Sequence, residues 1–174
     1  MKRIFLSCSI LIACILSVST ISHAQSTALE FNDHIASITD SLFLKGQEWG
    51  TKFNEVYANK DFALLKPMRE GLETFVTARI KELTGMKDVK NSKALRMAML
   101  DFLDYELIMV TNAFKPMERL AGTATNEDVK AALDKMTELS KQEAEELKKV
   151  GDAQEAYAKA NGFSIAPATA EEQK

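Results

Sequence analysis

The sequence predicts an all-α protein folded as an up-down-up-down four-helix bundle. Apolar residues recur near the 3.6-residue helical period in four segments, and no stretch alternates polar and apolar residues as a strand would. Helix-breaking residues are few, with 7 Gly and 3 Pro among 174 residues. The connections between segments are short, which favours antiparallel packing of consecutive helices. A chain of this length fits one domain.

The first 24 residues are predicted to be a signal peptide. Lys2 and Arg3 form a basic start, residues 4–18 are apolar and almost uncharged, and Ser22-His23-Ala24 presents small residues at the two positions that signal peptidase reads. We therefore expect cleavage between Ala24 and Gln25. The bundle domain is predicted to span residues 25–165, and residues 166–174, which lack apolar periodicity, are predicted to form a disordered tail.

Both cysteines of the chain, Cys8 and Cys14, lie within this predicted signal. Cleavage after Ala24 would leave a mature chain with neither a disulfide nor a thiolate nucleophile. A second route stays open, because Leu11-Ile12-Ala13-Cys14 resembles a bacterial lipobox. Acylation of Cys14 would then tether the protein to an envelope membrane.

The first two helices are predicted over residues 28–58 and 62–84. Thr27 and Glu30 have the spacing of a capping box before the first, while Asp61 starts the second and Gly85 ends it. Their apolar stripes are Phe31, Ile35, Ile38, Leu42, Trp49, Phe53 and Val56 in helix 1 and Leu65, Met68, Leu72, Phe75, Val76 and Leu83 in helix 2.

The third helix is predicted to begin after Ser92 and to reach about Ala121, where Gly122 ends it, and the fourth is predicted over about residues 127–160. Thr125 or Asn126 caps the fourth helix, and Asn161-Gly162 ends it in a left-handed conformation. Its apolar stripe is thinner than those of the other helices and rich in alanine.

The prolines and glycines inside these segments predict further details of helix shape and packing. Pro67 and Pro116 each lack the N–H that bonds one turn back, so each is expected to kink its helix. Gly46-x-x-x-Gly50 predicts close approach of a neighbouring helix beside Trp49.

After signal cleavage His34 is the only histidine, which excludes several histidine-dependent sites. The sequence contains no Glu-x-x-His pair for a di-iron bundle, no His-Glu-x-x-His motif and no Gly-x-Ser-x-Gly elbow. One metal hypothesis survives, in which His34 and the thioethers of Met86, Met97 and Met99 bind soft copper or a non-covalent haem. The interpretation we favour is that methionine fills gaps in the core, so that no cofactor is expected.

Four charged residues are predicted to form a polar layer inside the bundle. Arg79 falls near the middle of the helix 2 stripe, Glu106 and Glu143 fall within the stripes of helices 3 and 4, and Lys45 lies at the edge of the helix 1 stripe. Paired charges of this kind fix helix register. If the layer is paired, Glu106→Ala leaves a buried cation without its partner, and we expect it to destabilise the protein by ~3 kcal/mol or more. Surface snorkelling and a ligand or ion site, including a Glu106–Glu143 acid/base pair, stay open as alternatives.

Two short motifs carry a resemblance. Phe31-Asn32-Asp33-His34-Ile35, which opens the first mature helix, and Asn161-Gly162-Phe163, which closes the last, resemble an uncharacterised family of exported bacterial surface proteins named after a leptospiral member. The resemblance covers most of the mature chain and implies export and a helical domain. It transfers no catalytic residue, because the family carries no established activity.

These observations lead to a functional expectation. We expect an exported, non-enzymatic helical bundle of the bacterial envelope that acts by binding or structural interaction with an unknown protein or envelope component. Nucleic acid is excluded as a partner, because the formal charge of -3 offers no clustered basic surface. The alternative is a periplasmic copper or haem carrier that uses His34 and the nearby methionines.

Overall fold

The computed structural model describes residues 19–120 and 122–165, with side chains from residue 27 onward. This part of the chain contains helices and no strand. The helices are α1 (Ser19–Tyr57), α2 (Lys66–Gly85), α3 (Lys93–Met109), α4 (Lys115–Glu118) and α5 (Asn126–Asn161). A 3₁₀ turn, Phe62–Leu65, leads into α2, and a π-helical segment, Val110–Phe114, joins α3 to α4 in one continuous rod.

The predicted four-helix bundle is confirmed, with α1, α2, the α3–α4 rod and α5 packed against one another. His34 in the N-terminal half of α1 meets Glu82 near the end of α2, so these two helices are antiparallel. Phe31 in turn meets Tyr157 near the end of α5. Helices α1 and α5 are therefore also antiparallel neighbours, and they close the ring of four.

The core is divided into two clusters along the bundle. The larger cluster joins α1, α2 and α3 to the C-terminal part of α5, where Val150 and Tyr157 are buried. The smaller cluster surrounds Trp49 and takes only Val129 as a buried residue from α5. Phe114 packs against both clusters. Burial of these apolar side chains is the main source of the stability of the fold.

The ends of α5 confirm the sequence analysis. Thr125 Oγ1 accepts a hydrogen bond from the Asp128 backbone N–H at 3.1 Å, and the Asp128 carboxylate accepts one from the Thr125 N–H at 2.8 Å. This reciprocal pair is a capping box. Gly162 ends the helix with φ 72°, a left-handed conformation that glycine adopts without strain.

The predicted start of the first helix is wrong. Helix α1 begins at Ser19 and continues through Ala24 and Gln25, the expected cleavage position, instead of starting after Thr27. Residues 19–27 contain no Gly or Pro, so nothing in the backbone interrupts the helix there. Residues 1–18, with both cysteines, and the predicted tail at 166–174 lie outside the described residues.

The prolines mark changes of helix type instead of kinks within α-helices. Pro67 lies in the first turn of α2, directly after the 3₁₀ turn, and Pro116 lies in the first turn of α4, directly after the π-helical segment. A first-turn residue needs no N–H for the helical ladder, so proline is tolerated at Pro67. Pro116 lies within the continuous rod, and its missing N–H falls where the helix changes from π to α.

A buried arginine, which the sequence analysis did not single out, connects α2 to α4. The Arg69 side chain is 6% exposed and forms ion pairs with Glu118 of α4 and with Glu73 and Glu70 of its own helix. Glu118 is 12% exposed, whereas Glu73 and Glu70 are 45% and 54% exposed. The Arg69–Glu118 pair is therefore the buried link of this network.

Within the described residues, none of the helices has a stretch both long and apolar enough to span a lipid bilayer.

Candidate binding groove

A groove of about 1400 Å³ opens between α1 and α5. This volume exceeds the range of roughly 300–1,000 Å³ that is typical of small-molecule sites. Its apolar floor includes the buried residues Leu42, Leu72 and Phe102 together with Phe114. At 1.5 Å per helical residue, the lining stretch of α1 from Leu29 to Gln47 is roughly 27 Å long.

The α5 wall of the groove presents few apolar side chains. Between Val129 and Val150 no residue of α5 is buried, and the groove-facing positions there are Glu143 and Leu147, which is 40% exposed. Without large side chains to fill the space, α1 and α5 stand apart. The thin, alanine-rich stripe of the fourth helix is the sequence signal that could have revealed this gap.

Glycines widen the groove on both walls. Gly46 of α1 and Gly151 of α5 both line it, and a Cβ added at either position would meet no atom within 4 Å. Gly50 has equally open surroundings. The glycines themselves are therefore not approached closely, but Trp49 between them does contact a neighbouring helix, because it stacks on Phe114 at 4.5 Å.

Two carboxyl groups meet at the floor of the groove. Glu106 of α3 is 6% exposed, and its carboxyl donates a hydrogen bond to the carboxylate of Glu143 of α5. Burial, with the charge and the hydrogen bond of Glu143, raises the pKa of Glu106 to about 8. Burial raises the pKa of Glu143 as well. The pair therefore holds at least one proton at neutral pH.

The predicted pairing of two cations with two carboxylates in one polar layer is wrong. Glu106 and Glu143 do meet, but each of the two cations lies over the ring of Phe75, with Lys45 Nζ and Arg79 Cζ each 5.5 Å from its centre. Cations are attracted to an aromatic face at this distance. Arg79 Nη1 also lies 2.6 Å from an oxygen of Glu82, three residues along its own helix. The layer thus separates into a carboxyl pair on α3 and α5 and a cation pair on α1 and α2.

His34 has a carboxylate neighbour. Its Nε2 lies 2.9 Å from the Glu82 carboxylate, without the alignment of a hydrogen bond. Met99 is fully buried in the larger core, Met86 packs partly buried against it, and Met97 is 43% exposed. In the described part of the chain, no three His, Cys, Asp or Glu side chains are grouped to bind a metal. The thioether hypothesis stays a prediction.

Aromatic side chains bound one end of the groove. Trp49 stacks on Phe114, which lines the groove, with ring centres 4.5 Å apart, and on Phe53 at 5.4 Å. Phe114 ends the π-helical segment, and such segments often occur at functional sites. Trp49 is the only tryptophan of the chain, so its fluorescence reports on this end of the groove.

The two motifs behind the family resemblance meet at the other end. Tyr157 makes edge-to-face contacts with Phe31 at 5.8 Å and with Phe163 at 6.0 Å. The amide of Gln154 donates to Asn32 across the groove at 3.5 Å. Both motifs therefore help to join α1 to the end of α5.

Comparison with protein-family models, with curated proteins and with solved structures finds no match for this chain. The resemblance to exported surface proteins therefore stays a prediction, and any function has to be argued from the groove itself.

Proposed function

We propose that the chain is an exported, non-enzymatic binding protein of the bacterial envelope whose ligand is an elongated apolar molecule held between α1 and α5. The observation that carries the proposal is the open groove with an apolar floor. Leu29, Phe43 and Leu147 line it and are 38%, 50% and 40% exposed. Apolar side chains that line a concave surface in this way mark binding sites, because covering them removes apolar area from water.

A binding role fits the lining residues better than a catalytic one. Glu106 and Glu143 could exchange a proton, but acid/base catalysis also needs groups that stabilise the charge developing on a substrate. Among the described lining residues the only cation is Lys159, which lies 16 residues beyond Glu143, or roughly 24 Å along α5. The carboxyl pair therefore receives no such support from the lining set.

The groove is tested by filling it from its wall. Gly151 stands on the lining stripe of α5 among Leu147, Gln154 and Glu155, so a side chain added there extends along the groove. We expect Gly151→Leu to weaken binding of the uncharged apolar dye N-phenyl-1-naphthylamine at least tenfold, measured by its fluorescence increase. The fold should gain about 0.5–1 kcal/mol in the same variant, because leucine favours the helix more than glycine does.

The matched control is Gly71→Leu in α2. Gly71 is also an exposed helical glycine with no atom within 4 Å of an added Cβ, but it does not line the groove. This variant should gain similar stability and bind the dye as the unaltered protein does. Absence of dye binding to the unaltered protein, or equal binding by both leucine variants, would contradict the proposed function.

Export is tested on the protein purified from its native envelope. Mass spectrometry is expected to find a chain that begins at Gln25, as cleavage after Ala24 requires. An acylated N-terminal Cys14 would still support export but would replace the free protein by a lipid-tethered one. A chain that retains Met1 and fractionates with the cytoplasm would contradict export.

A further inference from the structure

The groove is acidic as well as apolar. Among the residues that the structure describes, its lining includes five carboxyl side chains and a single amine, that of Lys159. The carboxyl groups are those of Asp33, Asp40, Glu106, Glu143 and Glu155. A ligand that complements this surface carries positive charge, because a negative or neutral one would leave the carboxylates uncompensated.

Glu106 and Glu143 are the least exposed of these groups, and in the described part of the chain no cation is paired with either of them. Within the described residues, each finds its hydrogen-bond partner in the other carboxyl. The cations predicted to pair with them, Lys45 and Arg79, lie over Phe75 instead. Two carboxyl groups offer up to four acceptor oxygens, and a primary ammonium brings three N–H donors on one small head group.

The position of the pair orients such a ligand. The Asn32–Gln154 contact places the two antiparallel helices in register, and counting from it sets Glu143 level with Phe43 of α1. The carboxyl pair therefore lies toward the Phe114 end of the groove, while Lys159 lies toward the opposite end. An ammonium group is attracted to the first end and repelled from the second.

From this geometry we propose that the ligand is a small cationic amphiphile, a free long-chain primary amine whose ammonium binds between Glu106 and Glu143 while its hydrocarbon chain covers the groove floor. The inference rests on the proposed function and adds the chemical class of its ligand. A phosphate-bearing lipid fits less well, because its anionic head would enter an acidic groove.

The proposal carries a pH dependence. An ammonium group binds ionised carboxyl groups best, so binding of the amine displaces the proton that the pair holds at neutral pH. The affinity for the amine is therefore expected to rise as the pair ionises near pH 8. The other titratable lining groups are Asp33 and Asp40 of α1 and Glu155 and Lys159 of α5, while α2 contributes only Leu72. Tyr105 of α3 has a phenol whose pKa is raised by burial and by Glu143, so it stays neutral.

The test is displacement of the apolar dye from the full chain by three ligands of equal chain length, decylamine, decanol and decanoate. Decylamine is expected to compete at least tenfold better than decanol at pH 8, a difference of about 1.4 kcal/mol, with decanoate the weakest. Glu106→Gln and Glu143→Gln should each reduce the advantage of decylamine over decanol. Glu145→Gln, at an exposed position of α5 outside the groove lining, is the matched control and should leave that advantage unchanged.

The outcomes separate this inference from the proposed function. Equal competition by decylamine and decanol, with dye binding intact, would overturn the amine assignment and leave the groove as an apolar site. A short-chain phosphatidylethanolamine that competes better than decylamine would also overturn it. So would a dimer, detected by sedimentation, that Gly151→Leu abolishes, because a second copy of the chain would then occupy the groove. Failure of the dye to bind would instead remove the proposed function on which the inference rests.

Discussion

Replacing Arg69 with alanine is expected to lower the free energy of unfolding by about 3–5 kcal/mol. Arg69 is 6% exposed, and its ion pair with Glu118 joins α2 to α4 across the smaller core. Removing the guanidinium would leave Glu118, itself only 12% exposed, as an unpaired charge that water reaches only in part. Urea unfolding of the full chain at pH 7, followed by circular dichroism, measures the loss.

The other partners of Arg69 supply the control. Glu70 is 54% exposed, so water already screens its charge, and Glu70→Gln should change stability by no more than about 0.5 kcal/mol. Arg69→Lys keeps the charge but loses the planar fork that contacts several carboxylates at once, so its effect should be intermediate. If Arg69→Ala proves as mild as Glu70→Gln, the arginine is solvated and the buried link is refuted.

Glu106→Gln is expected to stabilise the protein by ~3 kcal/mol at pH 8.5 and to change little at pH 5. The pKa of Glu106 is raised from the ordinary value of 4.5 to about 8, so between these values the folded chain binds more protons than the unfolded chain. Stability of the unaltered protein should therefore fall as pH rises from about 5 to about 8. Glutamine keeps a hydrogen-bond donor toward Glu143 and carries no charge at any pH, so it avoids this loss.

Urea unfolding at several pH values measures this effect. Glu145→Gln removes an exposed carboxylate from α5 and should leave the pH dependence unchanged. A flat stability profile between pH 5 and pH 8 would show that Glu106 is hydrated. The sequence predicted that Glu106→Ala would destabilise the protein by leaving a cation unpaired. Among the described residues no cation forms an ion pair with Glu106, so we now expect removal of its charge to stabilise the protein instead.

The sequence correctly predicted those features of the fold that depend on local chemistry. Thr125 and Asp128 form the capping box that starts α5, and Gly162 adopts the left-handed conformation that ends it. Gly85 is the last residue of α2, close to the predicted stop. Such signals depend on hydrogen bonds within a few residues, so neighbouring helices hardly alter them.

The candidate site was predicted only in part. Projection onto helical wheels brought Glu106 and Glu143 into the interior, and both are indeed on the groove floor. Their predicted cation partners were wrong, because Lys45 and Arg79 reach Phe75 and Glu82 on their own side of the bundle. A helical wheel gives the direction in which a side chain points from the axis of its helix, but it does not give the rotation of one helix relative to the next.

Local sequence is enough to predict the all-α class, the four helical segments and the inward position of two carboxyl groups, because helical period and capping are properties of short stretches of chain. Only the packed bundle reveals that these carboxyl groups share a hydrogen bond, that Arg69 pairs with Glu118, and that a groove lies between α1 and α5. These features depend on distances between helices that are remote in sequence, and such distances are set by how all the side chains pack together.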